Sequence, residues 1–260
     1  MQAKVDQITD RIYRISTWIP DIGPDGFTFN QFLVDAEEPL LYHTGMRQLF
    51  PLVKDAIEQV MPVSRLRWIA FAHMEADECG AMNEFLTAAP HAQVAHGQLG
   101  VMLSFNDQCA RPPRPLADGE VLDIGGATLA RSVLELATPH VPHNWESHMF
   151  FETETRTLFC GDLLTQMGDG PAVTRDDIIW SAILAEDTFH QTSLGPAVPQ
   201  TYRRLADLDP ARLAIMHGSS YEGDCARLLR TMAGIYEQRY GCRAPEPAGH
   251  LPGHDRPTGK

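Results

Sequence analysis

The chain has 260 residues, 43% of them hydrophobic, which supplies one large core or two small ones at about 150 residues per domain. Thirty-four acidic residues against 21 basic ones give a formal charge of −13, the wrong sign for gripping a phosphate backbone or an anionic lipid surface. No apolar run approaches the roughly 18 to 20 residues of a membrane span, and the opening MQAKVDQITDRIYRI lacks a continuous hydrophobic stretch of signal-peptide type. Five widely spaced cysteines with no CxxC pair fit a reducing compartment. The expectation is a cytoplasmic protein without a nucleic-acid or membrane partner.

In chain order, Asp10 to Ala36 alternates short β-type runs (RIYRIST, FTFNQFLVD) with turn signals, and LLYHTG closes a third strand at Gly45. Apolar residues at Met46, Leu49, Leu52, Val53, Ile57 and Val60 have the spacing of one helix face. A buried strand in RLRWIAFA, a helix in ECGAMNEFLTAA, a short strand in AQVAHG and a helix in GQLGVMLSFND come next. The Pro- and Asp-rich segment from Arg111 to Asp123 leads into VLDIGG and ATLARSVLELATP, a hairpin-like pair joined at Gly125 and Gly126. SHMFFETETRTLFCGD gives two more strands. Thr165 to Ser193 reads as irregular with one apolar patch, DIIWSAILA, placed to cover something. The helix TYRRLADL, the strand RLAIMHG and the closing helix CARLLRTMAGIYEQRY complete a single domain over residues 1–242. Residues 243–260, rich in proline and glycine without apolar periodicity, predict a disordered tail.

Three apolar strands run into a good metal ligand: WIAFA into His73, TLFCG into Asp162, and LAIM into His217. Rigid strand ends fix ligand direction, which is why sites are built on the loops that follow them. HMEADE, residues 73–78, places His73, Glu75 and Asp77 at alternate positions with Glu78 adjacent. Taken alone, this hexapeptide reads equally as an acidic turn capping the next helix. Asp162 alone reads as a turn residue and His217 alone as a filled strand end, but the ordered set makes a metal site the better reading.

The series HMEADE, TPHVPHNWES, FCGDLL and MHGSS resembles the metallo-β-lactamase fold, whose HxHxDH motif is followed by a lone His, a bridging Asp and a final His. The resemblance covers Ile8 to Tyr240, includes the opening strands FNQFLVDAEEPLLYHTG with His43 where an Asp is common, and implies an α/β (α+β) four-layer αββα sandwich of two mixed sheets. Glu75 stands where most hydrolases of the fold have His, and H-x-E-x-D is the pattern of the di-iron branch, the flavodiiron oxygen and nitric oxide reductases and the related oxygen-binding di-iron proteins. A hard carboxylate in place of imidazole suits iron or manganese better than zinc.

Carried over residue by residue, the resemblance implies a first metal held by His73, Glu75, His143 and Asp162, and a second by Asp77, the bridging Asp162 and His217. Glu78 replaces the family's sixth-position His and either ligates or leaves that place to water. His143 stands four residues before Ser147, as the family's middle ligand does before its Ser, and His140 is the alternative, otherwise orienting a ligand. His148 reads as packed in a strand, while His91, His96, His190, His250 and His254 read as surface residues. Cys79 and Cys160 read as core filling, and Trp145, Tyr221 and DIIWSAILA as pocket wall or plain core.

The implied function is a non-haem di-iron protein that binds or reduces dioxygen or nitric oxide, with two irons, zinc and manganese being the other ions considered. The alternative is a dinuclear metallohydrolase that turns metal-bound hydroxide on an ester, thioester, lactam or phosphodiester. About 20 residues follow Tyr240, which leaves no room for a flavin domain and implies either a separate electron-donor protein or a site that only senses or carries oxygen. The resemblance also implies head-to-tail pairing of two copies.

Overall fold

The computed structural model describes residues 2–23, 25–125 and 130–241. In the first sheet β1 (Lys4–Thr9), β2 (Ile12–Ile19), β3 (Phe27–Val34), β4 (Leu40–Tyr42), β5 (Trp68–Ala70), β6 (Gln93–Gly97) and β7 (Arg114–Leu116) lie side by side in chain order. Pairing is antiparallel from β1 to β4 and parallel from β4 to β7. The second sheet contains β8 (Val121–Asp123), β9 (Ser132–Ala137), β10 (His148–Glu152), β11 (Thr157–Phe159), β12 (Val173–Thr174), β13 (Arg212–Ala214) and β14 (Ser220–Glu222). Their order in space is β12-β14-β13-β11-β10-β9-β8, with β11 parallel to β13 and β12 parallel to β14.

Helices cover both outer faces. On the first sheet lie α1 (Phe50–Ile57), the single turn α2 (Ala76–Cys79), α3 (Met82–Ala88), and a run that goes from α4 (Gln98–Gly100) through a π-helical stretch into α5 (Asn106–Gln108). On the second lie α6 (Ile179–Phe189), α7 (Ala197–Asp207) and α8 (Cys225–Arg239), the last capped by Asp224, whose side chain accepts from the Arg227 amide. Strand alternation sorts the core into layers. Val53, Ile69, Phe71 and Phe85 pack under α1 and α3. Phe32, Tyr42, Phe150 and Phe159 meet between the sheets, and Leu158, Leu213, Tyr202 and Leu229 pack under α7 and α8. Each such side chain contributes about 1.5–3 kcal/mol by leaving water. The αββα layering expected from the resemblance is the architecture found. Among the described residues no helix is long and apolar enough to cross a membrane.

Several elements depart from the sequence reading. The stretch from Thr165 to Ser193, expected to be irregular, contains β12 and the 11-residue α6. Apolar residues lie on both faces of α6, with Ile183 buried while Trp180 and Leu184 are exposed, so no helical stripe is visible. The Pro-rich segment after Arg111 contains β7, whose Pro115 is tolerated because β7 is an edge strand. The expected tail at 243–260 and most of the turn after Gly125 lie outside the described residues.

The two sheets are stitched at one rim, where parallel strands end together. The amide of His148 donates to the carbonyl of Ala72 (2.9 Å), and that of Asn30 to the carbonyl of Met216 (3.0 Å). Gly161, just past β11, has φ +52°, and a Cβ there would sit 2.7 Å from the Cβ of Ala72. The chain therefore needs glycine at this point to bring the β11 end against the β5 end.

Candidate metal centre

Every residue of the expected ligand set sits at this rim, all but Asp77 on loops. His73 follows β5, and Asp162 and His217 follow the parallel pair β11 and β13. His143 comes from the β9–β10 loop, and Glu75 and Asp77 from the entry and first turn of α2. Glu75 occupies the N-cap position of α2, but its side chain makes no cap hydrogen bond. It turns instead toward His73 Nε2 (2.9 Å) and His143 Nε2 (3.3 Å), so helix capping does not explain this residue.

The geometry forms two groups that share Asp162. In the first, His73 Nε2 and His143 Nε2 are 2.7 Å apart, and each is 3.6 Å from Asp162 Oδ2. Ligand atoms of His73, Glu75, His143 and Asp162 all fall within 4.8 Å of one another. In the second, His217 Nε2 is 3.1 Å from Asp162 Oδ1 and 3.3 Å from Asp77 Oδ2. The carboxyl of Asp162 thus presents one oxygen to each group. Its Oδ1 is fully buried and makes no aligned hydrogen bond despite its short distance to His217, the arrangement of two groups aimed at a common third point.

The backs of the imidazoles are tied off. His217 Nδ1 donates to the Thr28 carbonyl (2.9 Å) and His143 Nδ1 to the Gln191 carbonyl (2.8 Å), which leaves both Nε2 atoms facing the carboxyls. Such backing fixes ring direction and tautomer, as it does for ligating histidines. Behind His73, Glu78 Oε1 lies 3.3 Å from Nδ1 and Glu78 Oε2 accepts from the His73 amide (2.7 Å). Glu78 is fully buried and also faces His43 Nδ1 at 3.5 Å, so its side chain lies beneath the site, not in it. His140 is exposed on the same loop as His143 and is not among the clustered ligand atoms.

Electrostatics mark the site as one that demands positive charge. Hydrogen bonds with His143 and His73 pull the Glu75 carboxyl down to about 2. Burial would raise Asp162, but His217, His73 and His143 together hold it well below the carboxylate range. Burial would lower His217, but its contacts with Asp162 and Asp77 push it up to about 10, and His143 is raised in the same sense by Glu75 and Asp162. Without a metal, protons on imidazole balance the carboxylates; a bound cation takes over that role and releases them. Burial, with Asp162 and Asp77, raises Glu78 well above its usual range, and burial pushes His43 well below its own. The donor set of imidazole nitrogens and carboxylate oxygens fits hard or borderline divalent ions.

The site opens on a cavity of about 200 Å³ walled by Ile22, Phe27 and Phe189. Phe27 packs on the His217 ring at 4.3 Å and on Phe189 at 5.4 Å between ring centroids. The apolar patch DIIWSAILA does not line this cavity, which α6 reaches only through Phe189 beyond the patch, and Trp145 and Tyr221 line other cavities. Phe27 and Ile22 were not legible as site residues, since nothing in a strand start reports which end of the sandwich it faces. His96, read as a surface residue, is fully buried against Phe71, Phe105 and His148.

Residues 27–218 match the family described as ODP family beta lactamase. A protein that carries the name diflavin flavoprotein A 1, from Thermosynechococcus vestitus, is 26% identical over 242 residues, covering 84% of this chain and 40% of the relative. Rubredoxin-oxygen oxidoreductase of Megalodesulfovibrio gigas is 22% identical over 228 residues, covering 84% of this chain and 56% of the relative. The chain thus spans about half the length of these relatives. The crystal structure of the flavodiiron protein from Giardia intestinalis superposes with a TM-score of 0.77 at 14% identity, over 94% of this chain and 61% of that one, a likeness of fold. A match that runs from β3 to the residue after His217 takes in strands of both sheets and every residue of the two groups, and the chain belongs to the ODP family of beta-lactamases.

Proposed function

We propose that the protein is a non-haem di-iron protein that binds and reduces dioxygen or nitric oxide. The observation that carries this reading is Asp162, whose two oxygens face two separate groups, one completed by a carboxylate at Glu75. The first ion would be held by His73, Glu75, His143 and Asp162, the second by Asp77, Asp162 and His217. Iron held by these residues would supply the electrons for reducing a diatomic. The protein's own part is to orient and to exclude water. Thr28 and Gln191 carbonyls aim His217 and His143, Glu78 backs His73, and Phe27 with Phe189 keeps the cavity apolar on its open side. The names of relatives point the same way, one being a rubredoxin-oxygen oxidoreductase.

Electrons would come from a separate donor protein. The exposed apolar residues Trp180 and Leu184 of α6, a helix whose Phe189 walls the cavity, support a protein contact there, with a donor or with a second copy. The described cysteines, Cys79, Cys109, Cys160 and Cys225, are unpaired, which supports a reducing cytoplasmic setting.

The test is consumption of dioxygen and of nitric oxide, followed by electrode, with reduced rubredoxin as donor, alongside hydrolysis of ester, thioester, lactam and phosphodiester probes. Consumption of either diatomic without hydrolysis supports the reading. Hydrolysis without consumption overturns it in favour of a metallohydrolase.

A further inference from the structure

A second cavity of about 370 Å³ lies on the other side of the His143 loop, within the size range of small-molecule sites. Its floor holds Glu135 and His148; Leu99, Met102, Pro139 and Trp145 form its walls. Along β9, Val133 packs in the core between the sheets, and alternation puts Glu135 on the same face, where an apolar residue belongs. Glu135 is 1% exposed, and neither carboxyl oxygen has a hydrogen-bond partner. Its nearest polar neighbour is His148 Nδ1, at 3.5 Å and also without a hydrogen bond, because the other ring nitrogen of His148 is taken by the Phe71 carbonyl at 2.7 Å.

Burying a carboxyl with both oxygens unmatched is costly, and a chain retains such a group where something else completes it. The other acidic groups of the cavity are already engaged. Glu146 accepts from the Met74 amide (3.1 Å), and Asp118 from the Ala137 amide (2.9 Å) and Arg204 (2.5 Å). Of the acidic groups that line the cavity, Glu135 alone has both oxygens without a hydrogen bond, and it lies in the floor below a rim of exposed Leu99, Met102 and Trp145. We propose that this cavity binds a small organic cation, an amidine, guanidine or amine carried on an apolar body. The cation's N–H groups would lie on Glu135 and its body against Leu99, Met102 and Trp145, the indole face adding attraction for positive charge. Glu146 joins this cavity to the metal loop through Met74, which sits between His73 and Glu75. The site thus touches the backbone that carries two of the proposed ligands without sharing any of them.

The experiment is calorimetric titration of the metal-loaded full-length chain with benzamidine and with its neutral isostere benzamide. Benzamidine should bind at least about tenfold more tightly, the worth of charge-assisted hydrogen bonds to a buried carboxyl. Glu135→Gln should erase that preference while metal content and melting temperature hold. Leu99→Trp, at a half-exposed wall position, should block both probes while leaving Glu135 in place. Equal affinity for the two probes, no binding of either, or a preference that survives Glu135→Gln would each overturn the proposal.

Discussion

Two clusters of histidine and acid lie within this sandwich, and they solve opposite problems. At the rim, three imidazoles and three carboxyls converge. His217 and His143 are tied off at Nδ1 by carbonyls, and His73 is backed there by Glu78, so that the Nε2 atoms face one another and the carboxyl oxygens at 2.7–3.6 Å. In the second cluster His148 spends one ring nitrogen on the Phe71 carbonyl, the tilted His96 ring lies against it at 4.0 Å, and Glu135 lines a cavity with both oxygens unpaired. Residue type is the same in both. What separates them is whether ligand atoms meet at one point, where a proton or a metal ion balances them, or line open volume, which a donor-bearing ligand fills.

The sharpest way to break this contrast is Asp162→Ala. If its two oxygens serve two ions, metal content should fall from two per chain to near zero; retention of two, measured by elemental analysis, would remove the bridge. Next, His143→Ala should cost the first ion alone, whereas His140→Ala, on an exposed side chain of the same loop, should leave content unchanged. A reversed ranking would exchange their roles. Glu78→Gln should be milder, lowering affinity at the first ion by about 10- to 100-fold through looser hold on His73, as loss of backing groups does elsewhere. A loss confined to the second ion, followed by competition with a chelator, would show instead that Glu78 ligates. Smallest of all, Glu135→Gln should change metal content not at all, and a change would mean that the two clusters are one system.

The sequence made much of this legible because its signals are local. Apolar strands that stop at His73, Asp162 and His217 point to candidate ligands on a rigid rim, and the resemblance carried by the order of motifs was enough to imply two sheets between helices. What stayed hidden depends on direction in space. Glu78 is adjacent to Asp77, yet one step around α2 turns it from the cavity to the far side of His73. His96 lay in a correctly expected strand, but nothing showed that Phe105 and His148 close over it. α6 stayed unseen because a helix with apolar residues on both faces shows no period, and β1, an edge strand that is half exposed, shows too few apolar residues.

The most direct test of a dinuclear iron centre is elemental analysis of protein purified without oxygen, with an ultraviolet-visible spectrum taken before and after air is admitted. Two irons per chain with a new near-ultraviolet band on exposure is the expected result. Two zincs per chain with an unchanged spectrum would contradict it and return the site to hydrolytic chemistry.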